Sequence, residues 1–190
     1  MTPPTIDLVG LRLRALRPED AAAWHAYLSD PQVIEFTSYP VMSLPEVQAM
    51  IGRCLEGYAS ATSCTWAVAR EADDELVGTC GFNALSRRLG WAELAYDLAR
   101  PYWGRGFITQ AVGACLGWAF EQPEFYRVHA FVVVGNERSE RVLERACFTR
   151  EARLKAYRMC RGQPRDYWVF RLLRPEWEQM RQEHPRDEHA

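Results

Sequence analysis

Residues 11–17, LRLRALR, alternate apolar and basic side chains, the two-residue period of a half-buried strand. Pro18, Glu19 and Asp20 supply helix-start chemistry, and Ala22, Ala23, Trp24, Tyr27 and Leu28 give the following helix an apolar face. Asp30-Pro31 ends that helix, because a residue before proline is pushed out of the helical region. Residues 36–40, FTSYP, read as an aromatic, hydroxyl-bearing loop. Ser43 then caps a second helix over 44–58, with Pro45 and Glu46 in its first turn.

Strands follow at 65–70 and 76–84, separated by the acidic turn 71–75; Gly78 and Gly81 loosen the second of them. The stretch 91–111, WAELAYDLARPYWGRGFITQA, reads as a strand, a glycine-framed turn and a helix start. The helix runs over 107–120 and Pro123 marks its end. Residues 125–134, FYRVHAFVVV, are nearly all apolar or β-branched and predict a strand buried on both faces. A short charged helix over 137–146 and two closing strands, 148–157 and 167–173, complete the pattern, the strands joining through Arg161, Gly162, Gln163 and Pro164. From Pro175 the chain turns polar, predicting a short helix that frays into a tail over about 175–190. Strands arrive both as hairpins and as crossovers around helices. The expected fold class is therefore mixed α/β, a single domain over 1–190 with helices on both faces of a mixed sheet.

Composition narrows the setting. A net charge of −2 gives no footing for bulk nucleic-acid or anionic-membrane binding. The six cysteines form no CxxC pair and mostly sit in apolar runs, as small buried hydrophobes of a reducing compartment rather than metal ligands. The N-terminus lacks the apolar segment of a signal peptide, and no apolar run approaches the ~20 residues of a membrane span. A cytoplasmic protein without a metal, monomer or homodimer, is the default expectation.

The glycine turn carries the chemistry. A helix start offers backbone N–H groups without helical partners and a positive dipole end, which suits a phosphate. Gly104 and Gly106 let a ligand approach the backbone. No Lys follows them, so a nucleoside triphosphate loop does not fit. Thr109 stands where a dinucleotide fingerprint has its third glycine, so that reading fails as well.

The segment Glu93-Leu94-Ala95-Tyr96-Asp97-Leu98, then Tyr102-Trp103-Gly104-Arg105-Gly106, then Thr109-Gln110-Ala111 resembles the acyl-CoA-binding segment of the GNAT N-acetyltransferases. It is closest in wording to the branch that acetylates ribosomal-protein N-termini. The resemblance continues on both sides: Leu11-Arg12-Leu13-Arg14 with Pro18-Glu19-Asp20, Trp66-Ala67-Val68 with Leu76-Val77-Gly78, Asn136 with Ser139, Leu143 and Phe148, and a closing hairpin through Asp166 and Leu172-Leu173 to Trp177. Departures are Trp103 before the first glycine (shared with the ribosomal branch), Ile108 where a small residue is usual, Gln110 in place of a glutamate, and Cys147 where the family usually has Gly.

The resemblance implies a largely antiparallel twisted sheet of about seven strands, splayed between the fourth and fifth, with about four helices. It implies acetyl-CoA as donor, its diphosphate on the backbone of Gly104, Arg105, Gly106, Phe107, Ile108 and Thr109, and its pantetheine arm beside the strand ending at Leu98, tied also to Asn136. Arg105 is either a phosphate partner or a solvated turn cation. Transfer to an amine needs a base and a proton donor near the leaving sulfur. Glu93 is the candidate base, on the expectation that desolvation raises its carboxyl, and Ser139 is the candidate donor; Leu143 stands where many relatives place a tyrosine acid. Asp97 competes with Glu93 but suggests a structural part, and His129 is either a satisfied core histidine or a second base. The loop 36–40 and the turn 157–165 would frame the acceptor, with Tyr39 and Tyr157 lining it. The acceptor is a primary amine: a protein N-terminus, or alternatively a polyamine, amino acid or aminoglycoside, the polycations favoured if Glu35, Glu46 and Glu93 make the slot acidic. A non-catalytic CoA-binding module is the remaining alternative.

Overall fold

The alternating segment 11–17 forms one strand as expected, and a short strand that the sequence reading did not place precedes it. The computed structural model describes residues 2–183. In it β1 (Ile6–Leu8) precedes β2 (Leu11–Ala15) and pairs with it, Ile6 facing Leu13. Six more strands follow: β3 (Cys64–Arg70), β4 (Leu76–Ser86), β5 (Trp91–Leu98), β6 (Arg127–Val133), β7 (Thr149–Cys160) and β8 (Gln163–Leu173). They form one sheet in the order β1-β2-β3-β4-β5-β6-β8-β7. The expected count of about seven is thus corrected to eight. The extra strand is three residues on a sheet edge, too short for its alternation to register in sequence.

The helices are α1 (Ala21–Leu28), α2 (Leu44–Ser60), α3 (Phe107–Glu121), α4 (Glu137–Arg145) and α5 (Arg174–Glu183). Pro18–Asp20 form a 3-10 turn before α1. Ser43 caps α2 reciprocally with Glu46, as the spacing predicts. The short helix expected from Pro175 is α5, and its Trp177 is buried against Phe120, 5.2 Å between ring centroids, which docks it against the end of α3. The rest of the expected tail, 184–190, lies outside the described residues.

Strand alternation feeds two cores. Trp66 and Val68 of β3 face α3 and meet Phe82, Trp118 and Phe125, with 5.1 Å between the rings of Trp66 and Trp118. Ala67, between them, faces α1 and α2 with Leu28, Val47 and Ile51. Each fully buried Leu, Ile or Phe contributes about 1.5–3 kcal/mol, so both faces are held by apolar burial. Gly78 and Gly81 of β4 do not loosen it. A Cβ at Gly81 would come within 2.2 Å of the Cys64 carbonyl oxygen on β3, so the glycine permits close packing of the two backbones.

All neighbours in the sheet are antiparallel except β5 and β6, and that pair separates early. Trp91, Ala92 and Glu93 face Arg127, Val128 and His129 in parallel register; from Leu94 to Leu98, β5 has no partner on that side. This is the splay the resemblance implies. It also corrects the reading of residues 125–134. The β6 strand buries Val128, Ala130 and Val132 on one face; on the other only Val133 at its end is buried, and Arg127, His129 and Phe131 are half-buried. Their face looks toward the opening and the β7–β8 hairpin, not into a second core.

Candidate active site

The gap between β5 and β6 opens a cavity of about 520 Å³ through the sheet. Because side chains alternate along β5, Glu93 and Asp97 project to the α1–α2 face, while Leu94, Tyr96 and Leu98 project toward α3 and α4. The cavity joins the two faces. Its wall includes Glu93, Leu98, Gly104, Gly106, Phe107, Ile108, Thr109, Asn136 and Ser139, nine of the residues singled out from sequence.

At one end, α3 begins directly after Gly106, which takes a left-handed φ of +77°; Gly104 does the same at +74°. A Cβ built on either glycine meets nothing within 4 Å, so both open onto space rather than onto protein. That is the form a backbone cradle for a phosphate group requires. Ile108 is half-buried against the α3-side core while still touching the cavity, which is how a larger side chain is accommodated there. Arg105 is not in the wall; it is exposed, with its guanidinium 5.6 Å from the centre of the Tyr102 ring. Trp103 donates its indole N–H to the Leu98 carbonyl at 2.8 Å and stacks under Arg138 at 4.1 Å, tying the end of β5 to α4.

On the α4 side, Asn136 is the helix N-cap. Its Oδ1 accepts the Ser139 backbone N–H at 3.2 Å, and its Nδ2 donates to Ser139 Oγ at 3.1 Å. Ser139 Oγ therefore spends acceptor capacity on Asn136 and keeps its own proton to donate. Tyr96 crosses from β5 and donates its hydroxyl to the Ser139 carbonyl at 3.2 Å; burial pushes that phenol upward. Arg138, Arg141 and Arg145 also reach the cavity wall. The signal for them was present in the sequence, since positions three and four apart share one helix face.

On the opposite face, Asp97 is gripped by five donors: the backbone and hydroxyl of Thr79, each at 2.9 Å, Tyr27 at 2.7 Å, Trp24 at 3.4 Å and Tyr39 at 3.5 Å. Desolvation raises its carboxyl and these bonds oppose the rise. A carboxylate so occupied fastens β4 and β5 to α1. Tyr39 thereby stands in the α1–α2 packing, aimed at Asp97 and outside the cavity wall. Tyr157 is exposed and also outside the wall; its ring stacks on Phe131, which is in it.

Glu93 is 18% exposed and faces Arg158 of β7, with Oε1 3.5 Å from Nη2. Sequence reading did not find Arg158, because only the return of the β7–β8 hairpin over the gap brings it there. The hairpin tip turns at Arg161 and Gly162, both at left-handed φ, and Cys160 Sγ lies 2.8 Å from the Thr37 carbonyl. The two segments expected to frame the acceptor thus touch each other. His129, level with Glu93 in the register, is not a satisfied histidine: its buried Nδ1 has no hydrogen-bond partner among the described residues. Burial, and next Arg127, lower its imidazole to about 4, so it is neutral at ordinary pH.

Among the described residues no group of three His, Cys, Asp or Glu side chains could hold a metal ion, and no helix is long and apolar enough to cross a membrane.

Known proteins share this fold. Residues 10–149 match the acetyltransferase (GNAT) domain family. An uncharacterized N-acetyltransferase, p20, of Bacillus licheniformis is 34% identical over 172 residues, covering 88% of this chain and 94% of its own. The [ribosomal protein uS5]-alanine N-acetyltransferase of Escherichia coli is 25% identical over 131 residues, covering 68% of each chain. The structure of RimL, a ribosomal L7/L12 alpha-N-protein acetyltransferase in complex with coenzyme A, superposes with a TM-score of 0.82 at 20% identity, covering 90% of this chain and 98% of that one, a likeness of fold. With three quarters of its length matched by the family's own domain and a relative at 34% identity along nearly all of it, the chain belongs to the GNAT acetyltransferase family.

Proposed function

We propose that this enzyme transfers an acetyl group from acetyl-CoA to a primary amine, the α-amino group of a protein N-terminus, by direct attack with both substrates bound together. The observation that carries the reading is the single cavity joining the glycine turn, Ser139 and Glu93 across the β5–β6 gap. Acetyl-CoA supplies an activated acyl group on a sulfur that can leave.

The chain's own residues do the rest. Backbone N–H groups from Gly104 to Thr109, at the positive end of α3, hold the diphosphate. The unpaired edge of β5 from Leu94 to Leu98 offers peptide groups to the pantetheine amides. Glu93 takes a proton from the acceptor ammonium, directly or through one water, because only the free amine has a lone pair to attack with. Ser139 Oγ, held in place by Asn136, gives a hydrogen bond to the departing sulfur, and the second proton shed by the attacking nitrogen leaves with that sulfur as the thiol. Alignment of the two substrates supplies much of the acceleration without a covalent enzyme intermediate. The ribosomal acetyltransferase of Escherichia coli among the relatives supports the protein N-terminus as acceptor. The contact of Cys160 with Thr37, which joins the two segments beside the cavity, favours a small amine as the second reading.

Calorimetry with acetyl-CoA, paired with thiol release in the presence of amines, tests this. Glu93→Gln is expected to bind acetyl-CoA as the wild type does and to lose about 10²–10⁴ in transfer rate. Absence of acetyl-CoA binding by the wild type, or full transfer by Glu93→Gln, overturns it.

A further inference from the structure

We propose that Arg158 recognises a carboxylate on the acceptor, and that this carboxylate draws Arg158 away from Glu93 so that Glu93 can receive the amine's proton. The proposal rests on the reading of Glu93 as the base and adds the class of acceptor: a primary amine with a carboxylate a few bonds away.

Three observations carry it. First, Glu93 is engaged, with Arg158 Nη2 3.5 Å from its Oε1, the Glu93 side chain 18% exposed and that of Arg158 37%. While that pair holds, the carboxylate faces a fixed cation where an incoming ammonium would have to sit. An acceptor bearing only positive charge would meet Arg158 beside Glu93 and be repelled. An acceptor with both an ammonium and a carboxylate exchanges one ion pair for two, without leaving either protein charge uncompensated.

Second, Arg158 is built into a rigid mount. Its guanidinium lies 4.8 Å from the centre of the Phe131 ring, 4.9 Å from Tyr157 and 5.9 Å from Tyr167. The backbone that carries it is displaced by a register slip between Leu154 and Arg158, with Ala156 at a left-handed φ of +49°. Asp166 holds this slip by accepting the Ala156 N–H at 2.9 Å while pairing with Arg153 at 2.8 Å. The aromatic faces satisfy the cation whichever carboxylate it pairs with, so a short swing of the guanidinium over the rings changes its partner. Its planar fork suits a carboxylate.

Third, the acidic slot that would favour a polycation is not present. Glu35 lies 3.7 Å from Arg138, and Glu46 is folded back onto its own helix cap at Ser43, 2.7 Å away. What remains of this part of the wall is Gln32, Phe36, Thr37 and Asn83, together with Asp97, whose carboxyl is already occupied by its five donors. One anion and one cation 3.5 Å apart complement an acceptor of mixed charge.

Acetyl transfer is measured for the wild type, Arg158→Met and Arg158→Lys with matched acceptors: glutamate and its diamide, a peptide amide starting Asp-Ala and one starting Asn-Ala, and spermidine. Met keeps the apolar contact with the rings; melting and acetyl-CoA calorimetry confirm that each variant folds. The wild type is expected to prefer each carboxylated acceptor over its amide by about tenfold or more, in kcat as well as kcat/KM, since the carboxylate also frees the base. That ratio falls to near one in Arg158→Met and keeps an intermediate value in Arg158→Lys. The free amino acid and the peptide arms separate a small acceptor from a protein terminus. A wild type that prefers spermidine or the amides, one that binds acetyl-CoA yet acetylates no carboxylated acceptor, or a preference that survives in Arg158→Met overturns the proposal. A wild type that does not bind acetyl-CoA overturns the acetyltransferase reading beneath it.

Discussion

Asn136 and Ser139 hold each other: the amide of Asn136 takes the Ser139 backbone N–H through Oδ1 and gives its own hydrogen to Ser139 Oγ through Nδ2. The same side chain that caps α4 therefore also sets where the serine proton points. Ser139→Ala is expected to lower kcat by roughly 10²-fold with little change in the KM for acetyl-CoA. Asn136→Ala is expected to lower kcat too and, unlike the serine change, to remove about 1 kcal/mol of stability with the cap. Steady-state kinetics and melting on the two variants separate the effects.

Gly106→Ala tests the cradle. The residue sits at φ +77°, and an added Cβ meets no protein atom within 4 Å. The folded chain therefore bears only the left-handed backbone penalty, about 1–2 kcal/mol. The methyl group enters the space assigned to the diphosphate, so the affinity for acetyl-CoA is expected to fall by about tenfold or more, read by calorimetry, while the variant remains folded.

Cys147 occupies a glycine position. It follows α4 at φ +61°, its N–H bonds to the Glu144 carbonyl at 3.0 Å, and Phe148 closes back onto Leu143 at 2.9 Å. That is a Schellman ending, whose left-handed residue is usually Gly. Cys147 is exposed and makes no bond that Gly would lose with the side chain, so Cys147→Gly is expected to stabilise the protein by about 0.5–1 kcal/mol. A rise of a few degrees in Tm by calorimetry checks it; a fall contradicts the assignment.

His129 gives a pH dependence with a definite sign. Folding lowers its pKa from 6.5 to about 4, through burial first and Arg127 second, with Arg158 adding to it and Glu151 opposing. The unfolded chain thus takes up the proton as pH falls through 6.5, while the folded chain resists until about 4. The contribution is present above pH 6.5 and is lost as pH falls toward 4. His129→Phe removes the orphaned Nδ1 and places a ring between Trp91 and Phe131, now 5.2 and 5.3 Å from the imidazole. The variant is expected to match or exceed the wild type at pH 7 and to gain on it progressively toward pH 4, measured by denaturant unfolding across that range.

Much of this molecule is legible from local pattern, for reasons that are themselves local. Residues 65–70 read as a strand, and the two-residue period of a strand puts Trp66 and Val68 on one face of β3 and Ala67 on the other. The Ser43–Glu46 spacing marked the start of α2, and Gly104 and Gly106 marked the turn because left-handed backbone selects glycine. Each is decided within a few residues. The error over 125–134 shows where such reading ends: FYRVHAFVVV looks like a strand covered on both faces, yet His129 and Phe131 stand at the sheet's opening. Composition reports how apolar a strand is, not whether its neighbour stays beside it.

The sequence by itself determined all the elements but β1, and the glycine turn at the head of α3, because helical period, strand period and turn chemistry act over short stretches of chain; the candidate pair Glu93 and Ser139 followed from the resemblance to the acetyltransferases. Tertiary structure alone decided which charges meet. Glu93 faces Arg158, Glu35 faces Arg138 and Asp97 collects Tyr27, Tyr39 and Thr79 because the sheet order and the slipped β7–β8 hairpin carry distant segments to one opening. A charge's partner is set by distance in space, and in this fold that distance depends on where β5 and β6 part.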